Sequence, residues 1–509
     1  MHRKDIKAQI RKQLKTEFPN WQRFNRKEKK QIARKVLAEV VDSYAFPKQI
    51  ATPVTELIGL SDQQPTKGIM TIEQMAGFVE THESDRLLKL YGMHGSHPAI
   101  KDIELQTIDS MLDDRIVNKL LAPKGYTPAS RDLFPCNLLR AEMLKIIKYP
   151  EISYRKFCGD DKRYGNHKAT SPYIGMESKQ NRAFIGLALN RKQMIDHVQM
   201  SQFRSSLSYT QLINLNVYFL YLLQRQGLLG PDKIHFIDST ELAVDRQQLL
   251  AKIKIGKTNI RIYDDIDCDC GKRRNKRDKS VYVVGYRMHT LAAIDPDSGH
   301  SIPLISVLAP ANHHDSHFMM PLINLGQAIG LDLKLITADE AYHDSDGSLL
   351  EQTGVHLVAP PNKKVALPSN VETDSLQVTC DDLCEIGMEY VGSDPQGHEF
   401  KCAAEPGQCS RASVCPQYRR IAFDGGCFQP IPHATAGISK AIDLRKNGER
   451  PFNLIKKREG LEYTRVRGQH NILVQSVFTT AATLLIEMAG TRKSPKPTQQ
   501  RQLELSEAA

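Results

Sequence analysis

Two aspartates stand where apolar runs stop, Asp238 in "KIHFIDSTEL" and Asp339 in "LITADEAY". Each run reads as a buried strand, and a carboxylate at its end loses hydration unless it is paired or holds a cation. One reading is local, with Asp238 capping the following turn through Ser239 and Thr240. The other is chemical. Two such carboxylates and a third from a late helix make an oxygen-rich cradle for two hard ions, Mg²⁺ or Mn²⁺, about 4 Å apart, suited to in-line displacement at phosphorus. The third is sought in "AIDLRKNGERPFNLIKKREGLEYTRVRGQHN", where Arg445, Glu449 and Lys456 stand at i, i+4 and i+11 and share one face of a continuous helix. The two basic residues would hold phosphate oxygens beside the metals. Gly448 and Pro451 flank Glu449, so the helix could start or kink there and leave Arg445 in a loop.

Other chemistry-bearing residues gather in short pieces. Arg287 and His289 lie in "GYRMH", and His313, His314 and Asp315 in "ANHHDS". Because Mg²⁺ prefers oxygen, the histidines and Asp315 read as a polar network behind the carboxylates, and Arg287 as a phosphate contact or a surface residue. The acidic run "YDDIDCDCG" fails as a calcium loop: its glycine falls one place late and the twelfth position is Lys276. "GKRRNKRDK", which follows, reads as a basic loop that could track a DNA backbone or be an ordinary solvated loop. Most of the ten cysteines bunch between 380 and 427, with His398 and His433 nearby. A structural Zn²⁺ is one reading, with Cys384, Cys402, Cys409 and Cys415 the favoured set, and free thiols are the other.

The elements that must position these groups are legible from periodicity. With 509 residues the chain is too long for one core. Residues 1 to about 120 read as helical, and "NRKEKKQIARKVLAEVVDSY" sets Ile32, Val36, Leu37, Val40 and Val41 on one face with its cations on the other. The first fifty residues carry 14 Lys or Arg against 5 Asp or Glu, most of the net charge of +11. Such charge favours a polyanionic partner, DNA or RNA, over a merely solvated face. "SYTQLINLNVYFLYLLQRQGLLG" is apolar nearly all round and reads as a buried helix. From 233 the runs shorten and become β-branched, giving a β-β-β-α-β-α-β order. No run of about 18 apolar residues and no signal-peptide core appear, which points to the cytoplasm.

In "IDST", "GYRMHTLA", "ANHHDS", "TADEAY" and "RKNGERPFNLIKKREGLEYTRVRG" the chain resembles the DDE transposases of bacterial insertion sequences. The resemblance runs from about Ile234 to Gly468. It implies a ribonuclease-H-like, retroviral-integrase-like catalytic domain in which Asp238, Asp339 and Glu449 are the metal-binding triad. It also matches Arg445, Glu449 and Lys456 to the family's Tyr-x2-Arg-x3-Glu-x6-Lys signature and departs from it at the tyrosine, where Ile442 stands. The implied fold is an α/β mixed sheet flanked by helices, interrupted by a cysteine-containing insertion and preceded by helical modules. Boundaries fall at 1–126 (basic, helical, DNA-binding), 127–232 (helical linker or DNA-binding), 233–361 (first catalytic part), 362–437 (insertion), 438–490 (catalytic C-terminal helices) and 491–509 (disordered tail). The expected partner is double-stranded DNA, element ends and target, bound by a homodimer or larger assembly. A repressor descended from such an enzyme and a metal-dependent nuclease without strand transfer are the rival functions.

Overall fold

A computed structural model describes residues 3–44, 68–82, 96–122, 133–158, 178–190, 195–342 apart from 232, 245–247, 256–257 and 275–279, and then 348–359. It also describes much of 369–422, residues 443–445, 452, 455–456, 461 and 463–464, and 466–490. Glu449, Cys384, Ile442 and the tail from 491 lie outside them. Contacts divide the chain into two compact units, 1–71 with 230–476, and 72–229 with 477–509. Residues 1–71 thus belong with the strands, a different division from a boundary at 126.

The first unit is built on a seven-stranded mixed sheet. β1 (Ile234–Val244) runs antiparallel to β5 (Ser280–Ile294), which is antiparallel to β6 (Ser301–Pro310) and to β4 (Asp269–Arg274). On its other side β1 runs parallel to β7 (Leu335–Thr337), and β7 parallel to β8 (His356–Val358). The helices Met319–Ala328 and Ser348–Thr353 make the two parallel connections, in the order read from the sequence. A two-residue strand, Tyr463–Thr464, pairs with the far end of β1.

Alternation along β1 sorts the core. Phe236 and Leu242 face a cluster containing Met288, Tyr286, Phe452, Ile455, Leu461 and Ile472, so the late segment and the start of the helix Gln469–Met488 cover this face. The opposite face is covered by Met319–Ala328, where a Cβ on Gly326 would stand 2.9 Å from Leu291 and 2.8 Å from Leu333. Each fully buried Phe or Leu in such a core contributes about 1.5–3 kcal/mol.

The basic N-terminus is built into this unit. Helices α1 (Arg3–Glu17) and α2 (Arg26–Tyr44) pack Ile10, Leu14, Val36, Leu37 and Val40, with Trp21 from the turn between them, against a hairpin of β2 (Leu249–Ile255) and β3 (Thr258–Tyr263). The acidic run after β3 fastens them. Lys7 is ion-paired with Asp269, Lys15 with Asp267 at 2.7 Å and Lys29 with Asp264 at 2.9 Å, while Trp21 Nε1 donates to the Asp264 carbonyl at 3.0 Å. Asp265 accepts from Tyr286 Oη and from the Gly468 amide, both at 2.9 Å. So part of the charge read as DNA-facing neutralises the protein's own carboxylates, and Lys7 and Lys29 are buried in doing so.

The second unit is helical, its helices started by side-chain caps at Asp102, Asp113, Ser178, Asp196 and Ser208. Helix Tyr209–Arg225 is buried nearly all round, as its composition requires. Arg140, fully buried, is held by Asp109 at 2.7 Å and Asp114 at 2.6 Å. One helix among the described residues, Gln469–Met488, is long and apolar enough to cross a membrane, and 83% of its apolar window is buried inside the protein.

Candidate active site

β1 does not stop at Asp238. Its pairing with β5 continues in register from Asp238↔Thr290 to Ala243↔Gly285, so the carboxylate projects from mid-strand and is no turn cap. Polar residues from Asp238 to Glu241 suggest an ending, but a partner strand that also runs on keeps the backbone paired. Gly285 permits this: a Cβ there would lie 2.0 Å from the Leu242 carbonyl oxygen. The Asp238 carboxylate accepts from the Ser239 amide at 2.7 Å.

The parallel register brings in the second aspartate. His235 pairs with Ile336 and Phe236 with Thr337, an offset of 101, and the same offset sets Asp339 beside Asp238 just past the end of β7. There Asp339 accepts from the Ala341 amide at 3.0 Å, turning the chain into the short helix Glu340–Tyr342. Burial raises the Asp238 carboxyl to about 7; the Asp339 and Asp315 charges push the same way, against the Ser239 amide and Arg445. Two oxygen donors converge here, one of them costly to ionise, which is the donor set a hard divalent cation satisfies. Among the described residues no three His, Cys, Asp or Glu side chains stand ready to hold a metal.

Alternation places Asp238 on the face covered by the late segment. Arg445 is one of the helical residues 443–445, consistent with the helical of the two readings open for it, and its charge is felt at Asp238. Glu449 lies outside the described residues, but Leu444 before it and Phe452 after it both pack into the cluster that includes Phe236 and Leu242 of β1. Lys456 is half-buried beside the buried Ile455.

The other polar residues lie on the opposite face, with Ser239 and Glu241. Arg287 pairs across the strands with Glu241 at 3.3 Å and reaches Asp315 at 2.7 Å. Its guanidinium, expected at phosphate, is engaged by two carboxylates on the side away from Asp238. His289 is fully buried, stacks on Phe318 at 4.0 Å between ring centres, and has Nδ1 3.1 Å from Tyr342 Oη. Burial first, then Arg287 and His313, hold this imidazole well below its usual range, so it is neutral. Tyr342 bonds Ser239, and burial followed by Asp315, Asp238 and Asp339 drives its phenol far up. Tyr342 is thus the link between the network and the aspartates, a role missed in the sequence although "TADEAY" contains it. His314, expected in the network, is exposed and caps the turn Asp315–Phe318 by accepting from the Ser316 amide, while its neighbour His313 is buried near Phe318.

Of the cysteines read as zinc ligands, Cys402 ends β10 (Gly397–Cys402) and Cys415 stands 3.5 Å, sulfur to sulfur, from Cys380. Cys409 is half-buried.

No protein-family model matches the chain, and no curated protein does. Among solved structures the chain is similar to a piggyBac transposase in a synaptic complex with hairpin DNA: 11% identity, 80% of this chain and 78% of that chain covered, TM-score 0.32. So loose a likeness transfers no residue roles to this chain.

Proposed function

We propose that the chain is a DDE transposase of an insertion sequence that binds the terminal inverted repeats of its element and performs metal-dependent cleavage and strand transfer. The observation that carries this reading is the parallel register that sets Asp339 beside Asp238, with Arg445 close enough to act on Asp238. The strand order β6-β5-β1-β7-β8, two antiparallel pairings followed by two parallel ones, supports a ribonuclease-H-like sheet.

On this reading Asp238 and Asp339 supply metal-binding oxygens, and Glu449 adds the third from the segment anchored by Leu444 and Phe452. Two Mg²⁺ or Mn²⁺ ions, when bound, would polarise the attacking and leaving oxygens at phosphorus. Arg445 and Lys456 orient the phosphate and balance its charge. Tyr342, His289, Asp315 and Arg287 fix the turn after β7 from the opposite face, so that Asp339 keeps its angle to Asp238. Double-stranded element ends and target DNA are the substrates, and joining two ends calls for at least a dimer.

The test is Mg²⁺- or Mn²⁺-dependent nicking and joining of DNA carrying the flanking element ends. Wild type should give joined product, and Asp238→Asn, Asp339→Asn and Glu449→Gln should each give none. Activity surviving Glu449→Gln would remove that residue from the triad. Cleavage without joining would make the protein a nuclease, and specific binding without cleavage a repressor.

A further inference from the structure

The fold sorts the N-terminal cations into two sets. Lys7, Lys15 and Lys29 turn to Asp269, Asp267 and Asp264 of the acidic run. Lys27, Lys30 and Arg34 stand at i, i+3 and i+7 of α2 and so form one stripe, flanking the face that packs Val36 and Leu37. At 1.5 Å per residue the stripe is about 10 Å long. The carboxylates of the same helix do not neutralise it. Glu28 accepts from the Asn25 amide at 2.7 Å, and Glu39 accepts from Gln13 at 2.9 Å with Lys35 at 3.7 Å.

A groove of about 320 Å³ lies between this stripe and β2. Lys30 and Arg34 line it from α2 and Lys252 from β2, over an apolar floor that includes Leu37 and the exposed Leu249. No carboxylate is among its lining residues. The hairpin register sets Arg261 of β3 directly opposite Lys252, so these two cations share one face. Like charges directly across a hairpin, or four apart on a helix as at Lys30 and Arg34, repel and lower stability. An anion lying over them removes that repulsion. The cations also extend past the groove, to Lys27 along α2 and to Arg261 across the hairpin, farther than one small anion reaches.

We propose that this groove seats the backbone of duplex DNA, with Lys30, Arg34 and Lys252 on phosphates and Lys27 and Arg261 extending the track. A stripe of about 10 Å matches about three phosphates of one strand at 3.4 Å of duplex axis each. Contacts of this kind hold and orient the duplex without reading its sequence. The inference rests on the transposase reading for the choice of DNA and adds the surface that holds it.

The test is fluorescence anisotropy of the full-length protein with a labelled duplex in EDTA, over a series of salt concentrations. Wild type is compared with the triple variant Lys30→Ala, Arg34→Ala, Lys252→Ala. The slope of log K against log salt should shrink by about 2.7, about 0.9 for each lost phosphate contact, and affinity at about 100 mM salt should fall at least tenfold. A second measurement needs no variant: bound duplex should protect Lys30 and Lys252 of wild type from acetylation, read by mass spectrometry relative to the exposed Lys334. An unchanged slope, or equal acetylation with and without DNA, would overturn the proposal. Tighter binding of single-stranded RNA or of an acidic peptide than of the duplex, lost in the same variant, would overturn DNA as the occupant. Joining of element ends by wild type with the variant's slope unaltered would refute the groove and leave the transposase reading standing. A reduced slope with no cleavage or joining by wild type would do the reverse.

Discussion

Replacing Asp238 with Asn should make the metal-free protein more stable at pH 8 while removing its response to Mg²⁺. Burial, reinforced by Asp339 and Asp315, moves the Asp238 carboxyl from 3.8 to about 7. A raised carboxyl pKa means that the native state holds a proton the unfolded chain has released. The stability it contributes is full below about pH 4 and is lost as pH rises through about 7. A shift of about three units at about 1.4 kcal/mol each makes the ionised form unfavourable by on the order of 4 kcal/mol. Asn resembles the protonated carboxyl, carries no charge and still accepts from the Ser239 amide. In urea denaturation of the metal-free full chain, Asp238→Asn should match wild type at pH 4 and exceed it by about 2–4 kcal/mol at pH 8. Mg²⁺ at a hundredfold excess over its Kd should return about 2.7 kcal/mol to wild type and nothing to the variant. A variant less stable than wild type at pH 8, or a difference that does not change with pH, would refute the reasoning.

Further consequences can be measured on stability alone. Lys7→Met and Asp269→Asn should each destabilise the first unit, by less than the ~3–5 kcal/mol of a fully stranded buried charge because Arg11 also stands 3.9 Å from Asp269, and the double variant should cost less than their sum, as read in a double-mutant cycle. Arg140→Met should cost the second unit about 3–5 kcal/mol, visible as a lowered Tm, because Asp109 loses its buried partner. Gly285→Ala should force β5 from β1 at a cost of about 1–3 kcal/mol or more and lower metal-dependent activity with it, read as Tm and nicking rate. His289 should show no ring titration between pH 5 and 8 by NMR, since burial keeps it neutral.

Strands β1 and β5 to β8 and the two helices between them were legible because local periodicity reports them. β-branched runs such as "SVYVVGYRMHTLAAI" match β5 residue for residue, and the apolar stretch after "ANHHDS" matches its helix. The hairpin β2–β3 and strand β4 were not legible, since "AKIKIGKTNIRIY" and "DCGKRR" carry charges that suggest loops. Their apolar or carboxylate side chains find partners more than two hundred residues away, on α1 and α2. Trp21 and the acidic run gave no sign in the sequence that they meet.

Residue identity alone names the groups with chemical capacity: hard oxygen donors at Asp238 and Asp339, cations at Arg445 and Lys456, and thiols in the insertion. Side-chain type sets ligand hardness and charge wherever the chain places them. Folding settled which of these groups share a face. Parallel register joined Asp339 to Asp238, strand alternation put Arg287 and His289 on the far side with Tyr342, and ion pairing folded N-terminal cations into the protein's own carboxylates. Those outcomes depend on pairings between distant segments, and a period of two or 3.6 residues along one chain carries no record of them.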